Sequence, residues 1–449
     1  MDRIARFSFF VAIQMLDLNV CKSGRCKNLG VPNAKEYEYN IRPLGFLAMR
    51  CGVCSATPPM LDNESYGLMR NHWQQQVALL SGKRCPDCGS HSIKRFGQSS
   101  NGKQRLQCKA CQKTFSMRTP VMKGQQQLVE QIKNALFCGE EGESLIRLAA
   151  EKGVHFDRAC EQLKRQAQES MWRGEPSKFM ASTVFTLPYK GKGNQLWGII
   201  TTDIESGRVL HISTSLVPMV LPESGQYQPC ADAPPLVVEI SDSAIDLAQK
   251  QEQRFLLRQQ FDRCDFGVAS LGSNKHSHAL PVLTAHAHFA VLNMLNHGDD
   301  GGAHLLSHEV FLRGACITQF SNQVKNQQMS LAYVVGETDG NIRLSNVRKL
   351  GWWQNHWQEF RDSSGASKAF SVLCGNMDLA PEAISLITAK QAVSFIEQNM
   401  SKLNLAQFTA SRVDSFAAVL AARYNHELPV VEPNGLRMES DAQHIGVCL

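Results

Sequence analysis

In "CPDCGSHSIKRFGQSSNGKQRLQCKAC" two Cys-x-x-Cys pairs, Cys85 with Cys88 and Cys108 with Cys111, stand nineteen residues apart. A tight knuckle between paired thiolates aims both at one ion, and four thiolates form a closed tetrahedral zinc site with no position left open for catalysis. The intervening residues hold strand-forming runs around a Gly/Ser/Asn turn, which predicts a zinc ribbon. An earlier quartet is spaced more loosely: Cys21-x4-Cys26, twenty-four residues, then Cys51-x2-Cys54. The same order of pairs predicts a second ribbon-like site, so two structural zinc ions are expected.

Charge gathers around the later quartet. Between Lys83 and Arg118 lie nine Lys or Arg residues, and Asp87 is the one acid. Metal rather than a large core holds so small a unit, which frees its surface to display cations. Lys94, Arg95, Lys103, Arg105, Lys109 and Lys113 suit a phosphate backbone. Residues 1–180 as a whole carry 27 Lys and Arg against 16 Asp and Glu, and the remainder 20 against 25. The first part is expected to meet a polyanion.

Eight of the fifteen cysteines fall in four close pairs before residue 112, which reads as metal rather than a disulfide scaffold and places the chain in a reducing cytoplasm. The opening "MDRIARFSFFVAIQMLDLNV" has basic residues and then an apolar run, yet Asp17 follows and no small-residue cleavage pattern appears. A buried opening element is expected there rather than a signal peptide. No run approaches the ~20 apolar residues of a membrane span, and no membrane partner is expected.

Behind the second quartet, "SLIRLAAEKGVHFDRACEQLKRQ" places Ala149 four residues before Gly153, with Val154, Ala159 and Leu163 continuing an apolar face. This is helix-turn-helix spacing, and its second helix would offer His155, Arg158, Gln162 and Arg165 to a DNA groove.

The ribbon resembles that at the N-terminus of bacterial insertion-sequence transposases: Cys-Pro-x-Cys, an Ile, Gly-x-Gln-Arg, Cys-x-x-Cys and Lys-Thr-Phe recur here as Cys85, Pro86, Cys88, Ile93, Gly102, Gln104, Arg105, Cys108, Cys111, Lys113, Thr114 and Phe115. The resemblance covers about 35 residues. It implies double-stranded DNA as partner, leaves room for a homo-oligomer, and implies a C-terminal RNase H-like domain of the DDE type. In that family an Asp ending the first strand helps to hold two Mg²⁺ ions, and "LWGIITTDIESGRVLHIS" is similar to those opening strands, with Asp203 in the family position. Two ions need several converging carboxylates. The strand-like "LPVLTAHAHFAVL" resembles the place of the second Asp but offers Thr284, Ala285 and His286, and the third acid is left among Glu309, Glu337 and Glu359, with Asp262 and Asp265 as substitutes. The triad is incomplete, so strand transfer is doubtful and Mg²⁺ is expected only if the domain is active.

Among other residues, His276, His278, His286 and His288 read as structural histidines on strand faces, and Trp352, Trp353 and Trp357 as a packing face at near-helical spacing. The predicted fold is multidomain α/β: an N-terminal zinc-ribbon-like domain (1–80), a second ribbon (81–122), a small helix-turn-helix-like domain (123–172), an RNase H-like mixed α/β domain (180–430) and a tail (431–449). "GEPSKFMAST" reads as the linker before the last domain. The function this predicts is zinc-dependent DNA binding; the alternative is a regulatory or defence protein that uses its ribbons to dock other proteins.

Overall fold

The computed structural model describes residues 17–428, apart from 43–44, 82–84, 86–87, 89, 101, 103, 117–122, 139–141, 230–235, 258–263, 272–274, 296–301, 339, 352 and 378. The opening apolar run, Lys103, Asp262, Trp352 and the 431–449 tail lie outside the described residues.

The first described strands form a hairpin, β1 (Tyr37–Ile41) and β2 (Ala48–Cys51), followed by α1 (Asn63–Ser81). Asp62 starts that helix: its Oδ1 accepts from the N–H groups of Glu64 and Ser65, which no turn of helix precedes to satisfy. A three-stranded antiparallel ribbon comes next, β3 (Ile93–Gln98), β4 (Gln104–Cys108) and β5 (Thr114–Ser116). Three helices follow: α2 (Lys123–Cys138), α3 (Gly142–Lys152) and α4 (Val154–Trp172).

An eight-stranded sheet forms the body. β6 (Phe179–Pro188), β7 (Gln195–Asp203) and β8 (Val209–Thr214) make an antiparallel meander. Short β9 (Leu216–Val217), α5 (Ala244–Leu257), short β10 (Ser277–His278) and α6 (Pro281–Leu295) lead to β11 (Gly302–Ser307), which lies parallel to β6. After α7 (Val310–Gln319) and α8 (Ser321–Lys325), β12 (Met329–Gly336) lies parallel to β11. β13 (Arg343–Leu350), β14 (Asn355–Arg361) and β15 (Ser367–Cys374) extend the sheet antiparallel, giving the order β13-β14-β15-β12-β11-β6-β7-β8. Helices α9 (Ile387–Met400) and α10 (Ala410–Glu427) are the last helices among the described residues. A sheet covered on both sides buries successive residues in different cores. Ile199 joins α6 and α7 on one face, and Ile200 joins α4, α9 and α10 on the other. At the free edge of β8 the Asn425 amide accepts from the Val209 N–H at 2.7 Å and donates to its C=O at 2.9 Å. At the opposite edge β13 carries exposed Arg343 and Lys349 beside Arg348.

Several expectations need correction. "LPVLTAHAHFAVL" is helix, not strand: residues Pro281 through Leu292 of α6 are all buried, and a helix apolar on every side has no 3.6-residue period to read. Trp353 lies in a turn and Trp357 in a strand, so they share no helical face. The "FMAST" of the supposed linker is the start of β6, which pairs along its length with β7. The hairpin bearing Asp203 is therefore the second and third strand of the meander. Helices α2 to α4 share one apolar cluster with α9, α10 and the sheet, so the 123–172 segment is packed into the body. Asp157 meets Arg412 at 2.7 Å, and Lys164 pairs with Asp414.

Candidate zinc centres and nucleic-acid interface

Each cysteine quartet closes on one point. Cys21 Sγ lies 3.5 Å from Cys54 Sγ, and Cys26 Sγ 3.8 Å from Cys51 Sγ. In the second, Cys85 and Cys111 are 3.5 Å apart, as are Cys88 and Cys108. Four sulfurs at zinc–thiolate bond length on a tetrahedron stand about 3.8 Å from one another, so both sets fit a Zn²⁺ ion. In both quartets all four sulfurs fall within 4.8 Å of each other.

The knuckles also set the thiol electrostatics. Burial works against ionisation of Cys51, but the N–H groups of Cys54 and Val53 point at its sulfur, and with the neighbouring thiols they bring it down to about 7. Cys108 reaches about 7 by the same balance, through the N–H groups of Cys111 and Ala110. Burial and neighbouring thiols push Cys88 up to about 12 and raise Cys26.

The two centres sit in different surroundings. In the first, the Tyr37 hydroxyl accepts from the Cys21 N–H at 2.9 Å and reaches the Asn28 and Val31 carbonyls. Leu18, Leu29, Tyr66, Met69 and Trp73 of the same region enter the main core beside α6 and α7, where the Tyr66 hydroxyl bonds Gln319. The second ribbon packs chiefly on itself; its buried apolar residues, Cys85, Leu106 and Cys108, join none of the larger clusters.

β3 of that ribbon is exposed along nearly its whole length, with Lys94 and Arg95 in solvent. Lys94 pairs opposite Gln107, which puts Lys94, Phe96 and Arg105 on one face of the ribbon. Phe96, 44% exposed, stands between the two cations, with Lys94 Nζ 5.9 Å and the Arg105 guanidinium 5.8 Å from its ring centre. Lys109 and Lys113 are exposed on the following knuckle. The exposed cations around this ring form a positively charged face that suits phosphate groups. Sequence reading passed over Phe96; the signal was its alternation with Lys94 along β3.

On α4, His155, Arg158, Gln162 and Arg165 recur at helical spacing on one stripe, while Phe156, Ala159, Cys160 and Leu163 are buried. His155, Arg158 and Arg165 are exposed; Gln162 is half-buried, with an unpartnered Nε2. α3 and α4 are joined by Gly153 alone, at φ +49°, a shorter joint than the three or four residues of a helix-turn-helix.

The carboxylates do not converge. Asp203 closes the β7–β8 turn, accepting from the Ser177 hydroxyl at 2.5 Å and from the Ser206 N–H at 2.8 Å. Because Met180 pairs opposite Asp203, that residue is level with the amino ends of the parallel strands β6, β11 and β12, whereas ligand crevices in such sheets open at the carboxyl ends. Glu337 binds Ser385, the Leu386 N–H and Lys390; Glu359 is fully buried against the Ile245 N–H and Ser345; Glu309 precedes α7; Asp265 accepts from the Gly267 N–H. Among the described residues, only the cysteine quartets form a group of three or more ligating side chains close enough for one ion. At the carboxyl end of β11 sequence reading also missed buried His308, whose ring nitrogens meet Gln251 at 2.7 Å and Glu252 at 3.0 Å; only the fold brings α5 there.

The α6 histidines serve the core. His288 bridges Thr201 and Ser213 at 2.7 Å each, and His211 stacks on it at 4.7 Å. His304 bonds Ser182 at 2.7 Å, His286 meets Gln319, and His278 lies between Tyr189 and Ser215. Burial holds all of them neutral: His278 falls to about 4, His211 and His304 to about 3, and His286 and His288 lie well below the usual imidazole range. His276 lies on the rim of a surface pocket beside Lys164 and Arg165.

No helix among the described residues is long and apolar enough to cross a membrane. No family model matches the sequence, and no curated protein does. Among solved structures, a cryo-EM structure of the piggyBac transposase synaptic complex with hairpin DNA aligns over 82% of this chain and 67% of that one, at 7% identity and a TM-score of 0.25, a likeness too loose to carry fold or function.

Proposed function

We propose that the chain is a zinc-dependent, double-stranded-DNA-binding protein with a transposase-like body, and that it holds DNA without cutting it. The observation that carries the reading is the outer face of the second ribbon, where Lys94, Phe96 and Arg105 stand together on a unit held by four cysteines. Arg95 extends the charge on the other side of β3. The body supports an RNase H-like reading through its order, an antiparallel meander continued by two parallel strands with helices on both faces. Its β6 carries no acidic residue, Asp203 is engaged in a turn, and among the described residues no carboxylates converge to anchor a pair of Mg²⁺ ions. The α4 stripe, fixed to α10, is the second DNA contact.

The test uses the full chain with both zinc sites loaded. Duplex binding followed by fluorescence anisotropy is expected to weaken steeply as salt rises. Reversing Lys94, Arg95 and Arg105 together is expected to weaken it on every sequence, since phosphate contacts carry little base information. Binding indifferent to both salt and charge reversal would leave the ribbon as a protein-docking module instead.

A further inference from the structure

Between the sheet and helices α6 and α7, six polar side chains form one continuous run of hydrogen bonds. Cys316 Sγ of α7 lies 3.6 Å from His304 Nδ1 of β11, and His304 Nε2 lies 2.7 Å from Ser182 Oγ of β6. Ser182 stands opposite Thr201 of β7, with 2.5 Å between their hydroxyl oxygens. Thr201 Oγ1 is 2.7 Å from His288 Nε2 of α6, and His288 Nδ1 is 2.7 Å from Ser213 Oγ of β8. Five of the six are fully buried and Ser213 is 7% exposed, so water does not stand in for a missing partner along the run. Among the described residues, the Ser182 and Thr201 hydroxyls have no further hydrogen-bond partner, the Ser213 hydroxyl meets His288 alone, and the Cys316 thiol meets His304 alone.

Counting hydrogens fixes the order. Burial keeps both imidazoles neutral, and a neutral imidazole has one N–H and one bare nitrogen. Each hydroxyl has one hydrogen to give. Across the Ser182–Thr201 contact one hydroxyl donates; it must then accept from its own histidine, while the other gives its hydrogen to the histidine on its side. His288 and His304 are therefore opposite tautomers whichever way the run points. Its ends choose the direction. If it ran from Cys316 to Ser213, the Ser213 hydroxyl hydrogen would be left without an acceptor. In the reverse direction only the Cys316 S–H is left over, and a thiol is a weak donor that loses little. We infer that these six groups form a single proton-ordered chain running from Ser213 to Cys316, in which His288 carries its hydrogen on Nε2 and His304 on Nδ1, and neither histidine changes tautomer without the other. The device couples two helices and four strands through the order of their protons. It is independent of what the ribbons bind.

Neutron diffraction from crystals of perdeuterated, zinc-loaded full-length protein locates the ring deuterons directly. A deuteron on His288 Nε2 and on His304 Nδ1 is expected, with the other two ring nitrogens bare. Like tautomers at the two positions, or a doubly protonated ring, overturn the chain; opposite tautomers in the other assignment overturn its direction. Thr201→Val takes away the oxygen to which His288 Nε2–H donates. His288 is then expected to shift its hydrogen to Nδ1 and donate to Ser213, while His304 keeps Nδ1–H because Ser182 still donates to its Nε2. Thr201→Ser is expected to restore the parental pattern. A His288 that stays protonated on Nε2 in the valine variant shows that its tautomer is set by something other than the chain, and overturns the coupling. The parental measurement needs no substitution, so a valine variant that fails to fold leaves the main test standing.

Discussion

Two cysteine quartets of one ligand chemistry, each fit for a zinc ion, stand in this chain in opposite settings. The first has a tyrosine hydroxyl threaded through its loop and a helix that enters the main core, so its metal and the body are parts of one packing problem. The second packs on itself and turns Lys94, Phe96 and Arg105 outward. Four thiolates confer a fold in both cases. What differs is the neighbours, and with them the use: one centre is bound into the architecture, and the other presents a surface.

The largest expected effect comes from breaking the embedded centre. Cys26→Ser should remove one zinc equivalent and lower the stability of the body by about 3 kcal/mol or more, read as an earlier thermal transition in tryptophan fluorescence. Cys108→Ser should also remove one equivalent yet leave that transition nearly in place, because no tryptophan lies in residues 81–122 and the body does not lean on them. Equal shifts from the two substitutions would erase the contrast.

Next in size is the effect of charge reversal at Lys94, Arg95 and Arg105. Duplex affinity should fall by an order of magnitude or more, with the logarithmic salt slope reduced by about one for each phosphate no longer neutralised, while the body melts as before.

Acid should separate body from ribbon in a third way. His211, His278 and His304 titrate in the folded body far below their unfolded value near 6.5, so between about pH 6.5 and 4 the unfolded chain binds more protons than the folded one. Their stabilisation is present above 6.5 and is lost as pH falls, at up to about 1.4 kcal/mol per pH unit for each histidine. Urea titrations at pH 7.5 and 5.5 should show this loss in tryptophan fluorescence. Replacing His288 by Asn should flatten the pH dependence while lowering stability at both values; an unchanged slope would remove the histidine core as its cause.

The smallest effects concern α4 and Asp203. Arg158→Ala should change the ranking of duplex sequences more than average affinity, as base contacts specify and phosphate contacts position. Asp203→Asn should cost about 1 kcal/mol by weakening the turn, and nicking of DNA with Mg²⁺ should be absent before and after the change. Cleavage that vanishes with Asp203 would restore a catalytic body.

Much of the metal chemistry was legible because ligand spacing is local: each knuckle is read from six residues or fewer. The β7–β8 hairpin was legible for the same reason, as strand-forming runs around a turn survive within a short stretch. β6 was hidden because the Gly, Pro and charged residues of "GEPSK" run straight into it, and its Ser182 is satisfied only by partners that folding brings, Thr201 and His304. α6 was hidden by the opposite excess, since burial on every side removes the period. Neither the docking of the first centre nor the meeting of α4 with α10 leaves a trace in sequence. Asp157 and Arg412 are 255 residues apart, and nothing local to either names the other.

The treatment of the sheet's two borders limits how copies of this chain can associate. A bare strand is a template that a second molecule can extend, and natural sheets avoid it by cover or by charge. Here Asn425 occupies the β8 border with an amide that imitates one rung of a ladder, and β13 carries Arg343 and Lys349 exposed to solvent. A twofold pairing of β13 with itself would set those cations against their own copies. Both devices oppose the continuous sixteen-stranded sheet that edge-to-edge growth of two copies would create.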